Sequence, residues 1–303
     1  MNAVEIDNVT KTFGQHTAVA DLSLQVPAGT IYGFIGPNGS GKTTTLRMIM
    51  HILHPDRGNI TVLGERSLQA ANNRVGYLPE ERSLYKQMKV RDVLRFFADL
   101  KGFRNSREAI DSWLARMDLS GWADKRVETL SKGMHQKVQF IAAVVSEPEL
   151  VLLDEPFSGL DPVNTEVFRE AILDLRRNGT TVIFSTHDMG VAERMCDFIF
   201  MIHKGRKVLD GTLESIQETY GRDTVRVRLD SNGAALIDLP GVIKMVDFGH
   251  LQELRLDPHA DVQELLGALM GRGKVQFFEL AHPSLHDIFV RIAGVGPGEN
   301  NGA

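Results

Sequence analysis

The stretch Ile31-Tyr32-Gly33-Phe34-Ile35-Gly36-Pro37-Asn38-Gly39-Ser40-Gly41-Lys42-Thr43-Thr44 decides the fold. Ile31–Ile35 is a short apolar run suited to a buried strand, and residues 43–53 carry apolar positions at helical spacing up to Pro55. Between them, Gly36 to Thr43 matches G-x-x-x-x-G-K-S/T in the strand-then-helix context this pattern requires. Its glycines let backbone N–H groups turn inward around phosphate oxygens, and the helix N-terminus adds partial positive charge. Lys42 is placed to reach β- and γ-phosphates, and the Thr43 hydroxyl suits Mg²⁺. Nucleotide binding is therefore expected from Gly36, Pro37, Asn38, Gly39, Ser40, Gly41, Lys42, Thr43 and Thr44. Without nucleotide, Lys42 is expected to face solvent.

Further along, Val151-Leu152-Leu153-Asp154-Glu155-Pro156 is an apolar strand ending in two acids. Alone, such a pair is often a solvated strand end. Beside a phosphate loop it acquires a chemistry: Asp154 to orient Mg²⁺, and Glu155 to polarise a water for attack on a γ-phosphate.

Around these motifs the chain alternates strand and helix patterns. Strands are expected at 4–9, 60–63, 150–153, 181–185 and 198–202. Residues 85–146 read mostly as helices, and a further helix is expected over 163–177. This order implies an α/β fold with a mostly parallel core sheet. Composition shifts near Thr219-Tyr220-Gly221, so a first domain over 1–218 is expected to give way to a small α+β domain over 219–293. Strands there are expected at 225–229, 242–247, 251–256 and 274–280, with helices at 262–270 and starting near Pro283, a favourable residue at a helix start. The Gly/Asn-rich tail 294–303 is expected to fray. Lys101 to Arg107 reads as a solvated basic face, and His51 and His54 as structural.

The chain has 303 residues, 43% hydrophobic and 24% charged, as a folded globular protein does. Its 34 Lys+Arg against 39 Asp+Glu give a net charge of −5, so nucleic acid is not an expected partner. The single cysteine, Cys196, can form neither an intrachain disulfide nor a cysteine-based zinc site alone. No run approaches the length of a membrane span, and the first residues show no leader pattern.

Leu130-Ser131-Lys132-Gly133-Met134 precedes the acidic pair, and Ser158-Gly159-Leu160-Asp161 and Thr186-His187-Asp188 follow it. This ordered set resembles the ATP-binding cassette of ABC transporters, whose signature runs Leu-Ser-Gly-Gly-Gln. The resemblance spans residues 1 to about 218. It implies a P-loop NTPase cassette with an antiparallel β subdomain and a helical subdomain at about 85–146, and ATP and Mg²⁺ as ligands. It places Phe13 where the family stacks an aromatic on adenine, and Ser131 and Gly133 where the signature contacts the nucleotide of an opposite subunit. Asp161 falls in the loop for cross-talk between subunits. His187 falls at the switch histidine that orients the acid, and Glu80 at a position contacting the metal. The implied catalytic set is Glu155, His187 and Lys42, and the implied metal set is Thr43, Glu80 and Asp154.

Three departures stand out: Lys132 for glycine, Met134 for glutamine, and Glu80 for glutamine. Tyr77-Leu78-Pro79-Glu80-Glu81-Arg82 is similar to a subgroup of ATPases of sodium and drug exporters. Pro283-Ser284-Leu285-His286-Asp287-Ile288-Phe289 resembles the terminal helix of their small accessory domain, read here mainly as a packing domain. The resemblance implies a homodimer, or cassette heterodimer, closing around two ATP molecules. It also implies separate transmembrane permease subunits and a place on the cytoplasmic face of a membrane. Two alternatives stand behind it. A cassette ATPase of translation or DNA repair usually carries two cassettes or a long insertion. A small-molecule P-loop kinase would have no use for residues 130–134 where they stand.

Overall fold

The structure is a computed structural model that describes residues 1–66, 72–81, 84–221, 223–230, 238–249, 251–257 and 259–293. Arg82 and the tail 294–303 lie outside the described residues. The chain divides into two compact units, one ending at Thr212 and one beginning at Leu213.

The first unit contains two sheets. The larger has strand order β5-β6-β7-β3-β8-β9, built from β3 (Ile31–Ile35), β5 (Val75–Leu78), β6 (Leu150–Asp154), β7 (Thr181–Thr186), β8 (Phe198–His203) and β9 (Arg206–Gly211). The pairs β5·β6, β6·β7, β7·β3 and β3·β8 are parallel, and β9 closes one edge antiparallel. The central strands are buried along their whole length and mostly apolar, with polar residues only towards the ends of β6 and β7, because helices or a second sheet cover both faces. The smaller sheet, order β2-β1-β4, is antiparallel: β1 (Asn2–Phe13), β2 (His16–Pro27) and β4 (Arg57–Val62).

Two apolar cores flank the large sheet. One packs Tyr32, Phe34, Leu152 and Phe200 against the small sheet and α1 (Lys42–Ile49). The other packs Leu153, Val182 and Phe184 against α2 (Val90–Leu100), α3 (Arg107–Arg116), α4 (Lys132–Val144) and α5 (Pro162–Arg177). A short α6 (Met189–Met195) leads into β8. This is the P-loop NTPase cassette expected, with its antiparallel and helical subdomains.

The second unit has α7 (Leu213–Tyr220), a four-stranded antiparallel sheet of order β11-β12-β10-β13, and two further helices. The strands are β10 (Thr224–Leu229), β11 (Val242–Asp247), β12 (Gln252–Leu256) and β13 (Val275–Ala281). Leu265 and Leu269 of α8 (Val262–Arg272) cover Val225, Val227, Leu254 and Leu256. Arg291 of α9 (Leu285–Ala293) makes two hydrogen bonds of 2.9 Å to Asp223, just before β10.

Several local expectations need correction. α1 ends at Ile49 rather than near residue 53, because the chain turns through Met50 and a left-handed His51 (φ +49°). Lys101 is not on a solvated face: it is partly buried, and burial pushes its ammonium pKa down. Pro283 lies just ahead of α9, where Ser284 and Asp287 form a reciprocal cap: each backbone N–H donates to the other's side chain, at 3.1 and 3.2 Å. β2, β5, β9 and α6 were not anticipated.

Candidate functional site

Strand β3 ends where the backbone of residues 36–41 doubles back over the first turn of α1. Glycine is required there by space. A Cβ on Gly36 would stand 2.2 Å from the Ile202 carbonyl oxygen, and one on Gly41 2.6 Å from that of Ala18. Gly41 also takes φ +112°, which L side chains rarely adopt. No acidic residue occupies the first turn of α1, so its free N–H groups stand unopposed.

Lys42 departs from expectation: only 5% exposed, it does not face solvent. Its ammonium donates to the carbonyl oxygens of Gly36 (2.7 Å) and Pro37 (3.3 Å) and lies 3.5 Å from Glu155 Oε1. The loop's own carbonyls and the acid hold it.

The parallel register of β6 and β7 sets Asp154 beside Ser185. Asp154, 1% exposed, accepts from Thr43 Oγ1 (3.1 Å) and Ser185 Oγ (2.6 Å), both at Oδ1. Its Oδ2 is buried without a hydrogen-bond partner. Buried carboxylate oxygens are rarely left so. An orphaned carboxylate oxygen beside a threonine hydroxyl fits Mg²⁺, a hard cation that keeps phosphate and water oxygens among its ligands. Among the described residues no group of three or more His, Cys, Asp or Glu side chains could hold a metal by itself.

Glu155, 9% exposed, stands between Lys42 and His187, whose Nδ1 lies 3.0 Å from Glu155 Oε2. The His187 side chain is 57% exposed, so the acid is screened on one side and reachable past the histidine on the other. A cleft of about 490 Å³ joins these groups. It is lined by the phosphate loop and first helical residues 38–44, by Glu155, His187, Ser158 and Glu80, and by Phe13 and His16. Phe13 is 47% exposed at the turn between β1 and β2, with Lys11 Nζ 5.5 Å from its ring centroid. A smaller cavity of about 130 Å³ adjoins, lined by Glu80, Lys132, Gln136, Gln139, Asp154, Glu155 and Ser158.

Ser131, Gly133 and Asp161 do not line the cleft. Ser131 is exposed and caps α4, accepting from the Met134 N–H at 3.3 Å. Asp161 caps α5, accepting from the Asn164 N–H at 2.9 Å. That bond and the Asn164 side-chain amide hold the Asp161 carboxyl below the usual carboxylate range. Sequence reasoning missed His16, Ser185, Gln136 and Gln139. Ser185 had a signal, a hydroxyl directly after the apolar run Val182–Phe184. The two glutamines had none, since their contacts lie far away along the chain.

A phosphate loop at a parallel strand's end, an orphaned carboxylate beside its threonine and a second acid in reach of its lysine define a P-loop nucleoside triphosphatase. Comparison with known proteins narrows this. A family model described as "ABC transporter" matches residues 19–158, and one described as "ATP-binding protein DrrA1-3-like, C-terminal domain" matches residues 211–293. A third, an AAA-domain model, matches residues 125–193. The uncharacterized ABC transporter ATP-binding protein YhaQ of Bacillus subtilis (strain 168) is 42% identical, over 95% of this chain and 98% of its own. The Nod factor export ATP-binding protein I of Rhizobium sp. (strain N33) is 35% identical, over 96% and 97%. The daunorubicin resistance ATP-binding protein DrrA3 of Streptomyces coeruleorubidus is 32% identical, over 96% of each. A solved ATP-binding subunit of an ABC transporter superposes with a TM-score of 0.68 at 30% identity, covering 72% of this chain and 93% of that one. The chain belongs to the ABC transporter ATP-binding proteins; it binds ATP and is an ATPase.

Proposed function

We propose that this protein is the motor subunit of an exporter, working as two copies that close around two ATP molecules and drive separate transmembrane subunits. The observation that carries the two-copy reading is the N-terminus of α4. Ser131 and Lys132 are exposed, the first turn contains no acid, and only Lys132 of these residues borders the site, in the smaller cavity beside the cleft. An exposed, positively polarised helix end without a ligand of its own suits the phosphates held by a second copy.

Within each cleft, Phe13 stacks on the adenine and the loop amides with Lys42 bind the phosphates. Thr43 and Asp154, with Glu80 nearby, would hold Mg²⁺, which would supply positive charge to offset that of the phosphate oxygens. As ATP draws Lys42 onto its phosphates, Glu155 loses its pairing with Lys42, keeps His187, and becomes free to accept a proton from the attacking water. His187 orients Glu155 and faces the γ-phosphate. Asp161, one residue before α5, faces the other copy. The second unit serves as an accessory domain.

Exposed Tyr85, Phe96 and Leu100, the first two edge-to-face at 5.4 Å, offer an apolar contact for a membrane subunit. Among the described residues no helix is long and apolar enough to cross a membrane, which fits a partner that supplies the pore. Export is supported by the likeness to Nod factor export and daunorubicin resistance proteins. Light scattering tests the shared site. Glu155→Gln should be a dimer with ATP and Mg²⁺ and a monomer without. Adding Ser131→Arg, which puts a bulky cation at the contact, should return it to monomer; a dimer indifferent to Ser131→Arg refutes the arrangement.

A further inference from the structure

Glu155 adopts a left-handed backbone, φ +50°. A residue with a Cβ keeps that conformation only where its surroundings over-determine it. A local bond from the Ser158 N–H to the Glu155 carbonyl oxygen at 3.1 Å closes the turn, and two longer-range hydrogen bonds anchor it. On one side the Glu155 N–H donates to Ser185 Oγ at 2.9 Å, from strand β7. On the other, the carbonyl oxygen of the next residue, Pro156, accepts from Gln136 Nε2 at 2.6 Å in a buried bond. Gln136 belongs to α4, and its Oε1 is buried without a hydrogen-bond partner, so it is fixed through the Pro156 bond. One turn further on, Gln139 Nε2 donates to the Glu81 carbonyl oxygen at 3.1 Å, one residue after Glu80. The same helix therefore holds the backbone of both loops that carry acids into the site.

Gln136 lies five residues beyond Ser131, about 7.5 Å along the axis at 1.5 Å per residue. A helix transmits such a displacement almost rigidly. We infer that Gln136 is a positioning residue linking the two nucleotide sites: a shift of α4 when its N-terminus captures the other copy's nucleotide resets the Glu155 turn of its own chain. This rests on the two-copy reading above. The bistable element is the turn itself, held left-handed with the Gln136 bond and relaxing without it, which gives the coupling a physical carrier.

The test is steady-state ATP hydrolysis by the full-length protein against ATP concentration. Gln136→Leu keeps the side chain's size and removes the donor. It should lower kcat about tenfold, within the range that misplacing a catalytic group costs. The Hill coefficient for ATP should fall from the wild-type value towards one, while a fluorescent ATP analogue binds as before. Ser185→Ala loosens the same turn from β7, not from α4, so it should lower kcat with the Hill coefficient intact. A merely structural role for Gln136 would not separate these two readouts. Gln136→Met serves should the leucine variant fail to melt cooperatively. An unchanged kcat in Gln136→Leu overturns the inference, as does a slowed enzyme as cooperative as wild type. A wild-type Hill coefficient of one overturns this inference, whereas a Glu155→Gln protein that stays monomeric with ATP overturns the two-copy reading, so the two failures are distinguishable.

Discussion

Replacing Glu155 by Gln exchanges one oxygen for an amide and removes one charge from a group 3.5 Å from Lys42 and 3.0 Å from His187. The amide retains the shape and a hydrogen bond with the histidine; it cannot accept a proton from water. Loss of a positioned base costs about 10²–10⁴-fold in rate, which at about 1.36 kcal/mol per decade is roughly 2.7–5.4 kcal/mol of barrier. Binding should move the other way, because a negative charge beside the γ-phosphate is gone and the loop amides are untouched. The Lys42 ammonium keeps its bonds to Gly36 and Pro37. Lost pairing should therefore cost only about 1 kcal/mol, a melting shift of about 2–4 °C for a unit of this size. Single-turnover phosphate release, with equilibrium binding of a fluorescent ATP analogue, separates the two effects. A variant that hydrolyses ATP within threefold of wild type refutes Glu155 as the base; one that no longer binds ATP refutes the division of labour between the acid and the loop.

Lys42→Ala leaves the Glu155 carboxylate buried without its counter-charge, so it should lower stability by about 3 kcal/mol as well as weaken ATP binding at least tenfold; an unshifted thermal melt would contradict the buried pair. Phe13→Ala removes an exposed ring at the cleft's end and should raise the ATP dissociation constant about fivefold with no change in melting, and equal affinities by calorimetry would deny the stacking. Gly33→Ala would bring a Cβ to 2.5 Å from Cys196 Sγ, costing about 1–3 kcal/mol. Cys196→Ala should recover most of that in a double-mutant cycle followed by denaturant unfolding, and purely additive effects would show that the clash is relieved elsewhere.

Much of this protein was legible along the chain. The phosphate loop, the acids after β6 and the cap at Ser131 are local. Each needs only a few adjacent residues in one strand, turn or helix, so their types and spacing reveal them. β2 was legible too, in the alternation of Leu22, Leu24 and Val26, although it was not read. β9 and α6 are short and drawn into place by neighbours, so propensity alone was a weak guide to them.

Residue types and spacing were enough for the class of fold, for its two-part organisation as an expectation, and for the chemistry of its motifs. Tertiary structure decided which groups meet. Lys42 turns inward because the carbonyls of its own loop and an acid 113 positions away in the chain surround it, a pairing set by the neighbouring places of β3, β7 and β6 in one sheet. Gln136 reaches Pro156 and Gln139 reaches Glu81 because helix packing brings α4 against both loops. Contacts across such distances depend on register and packing angle, which arise only when the whole core closes; local sequence pattern contains no record of them.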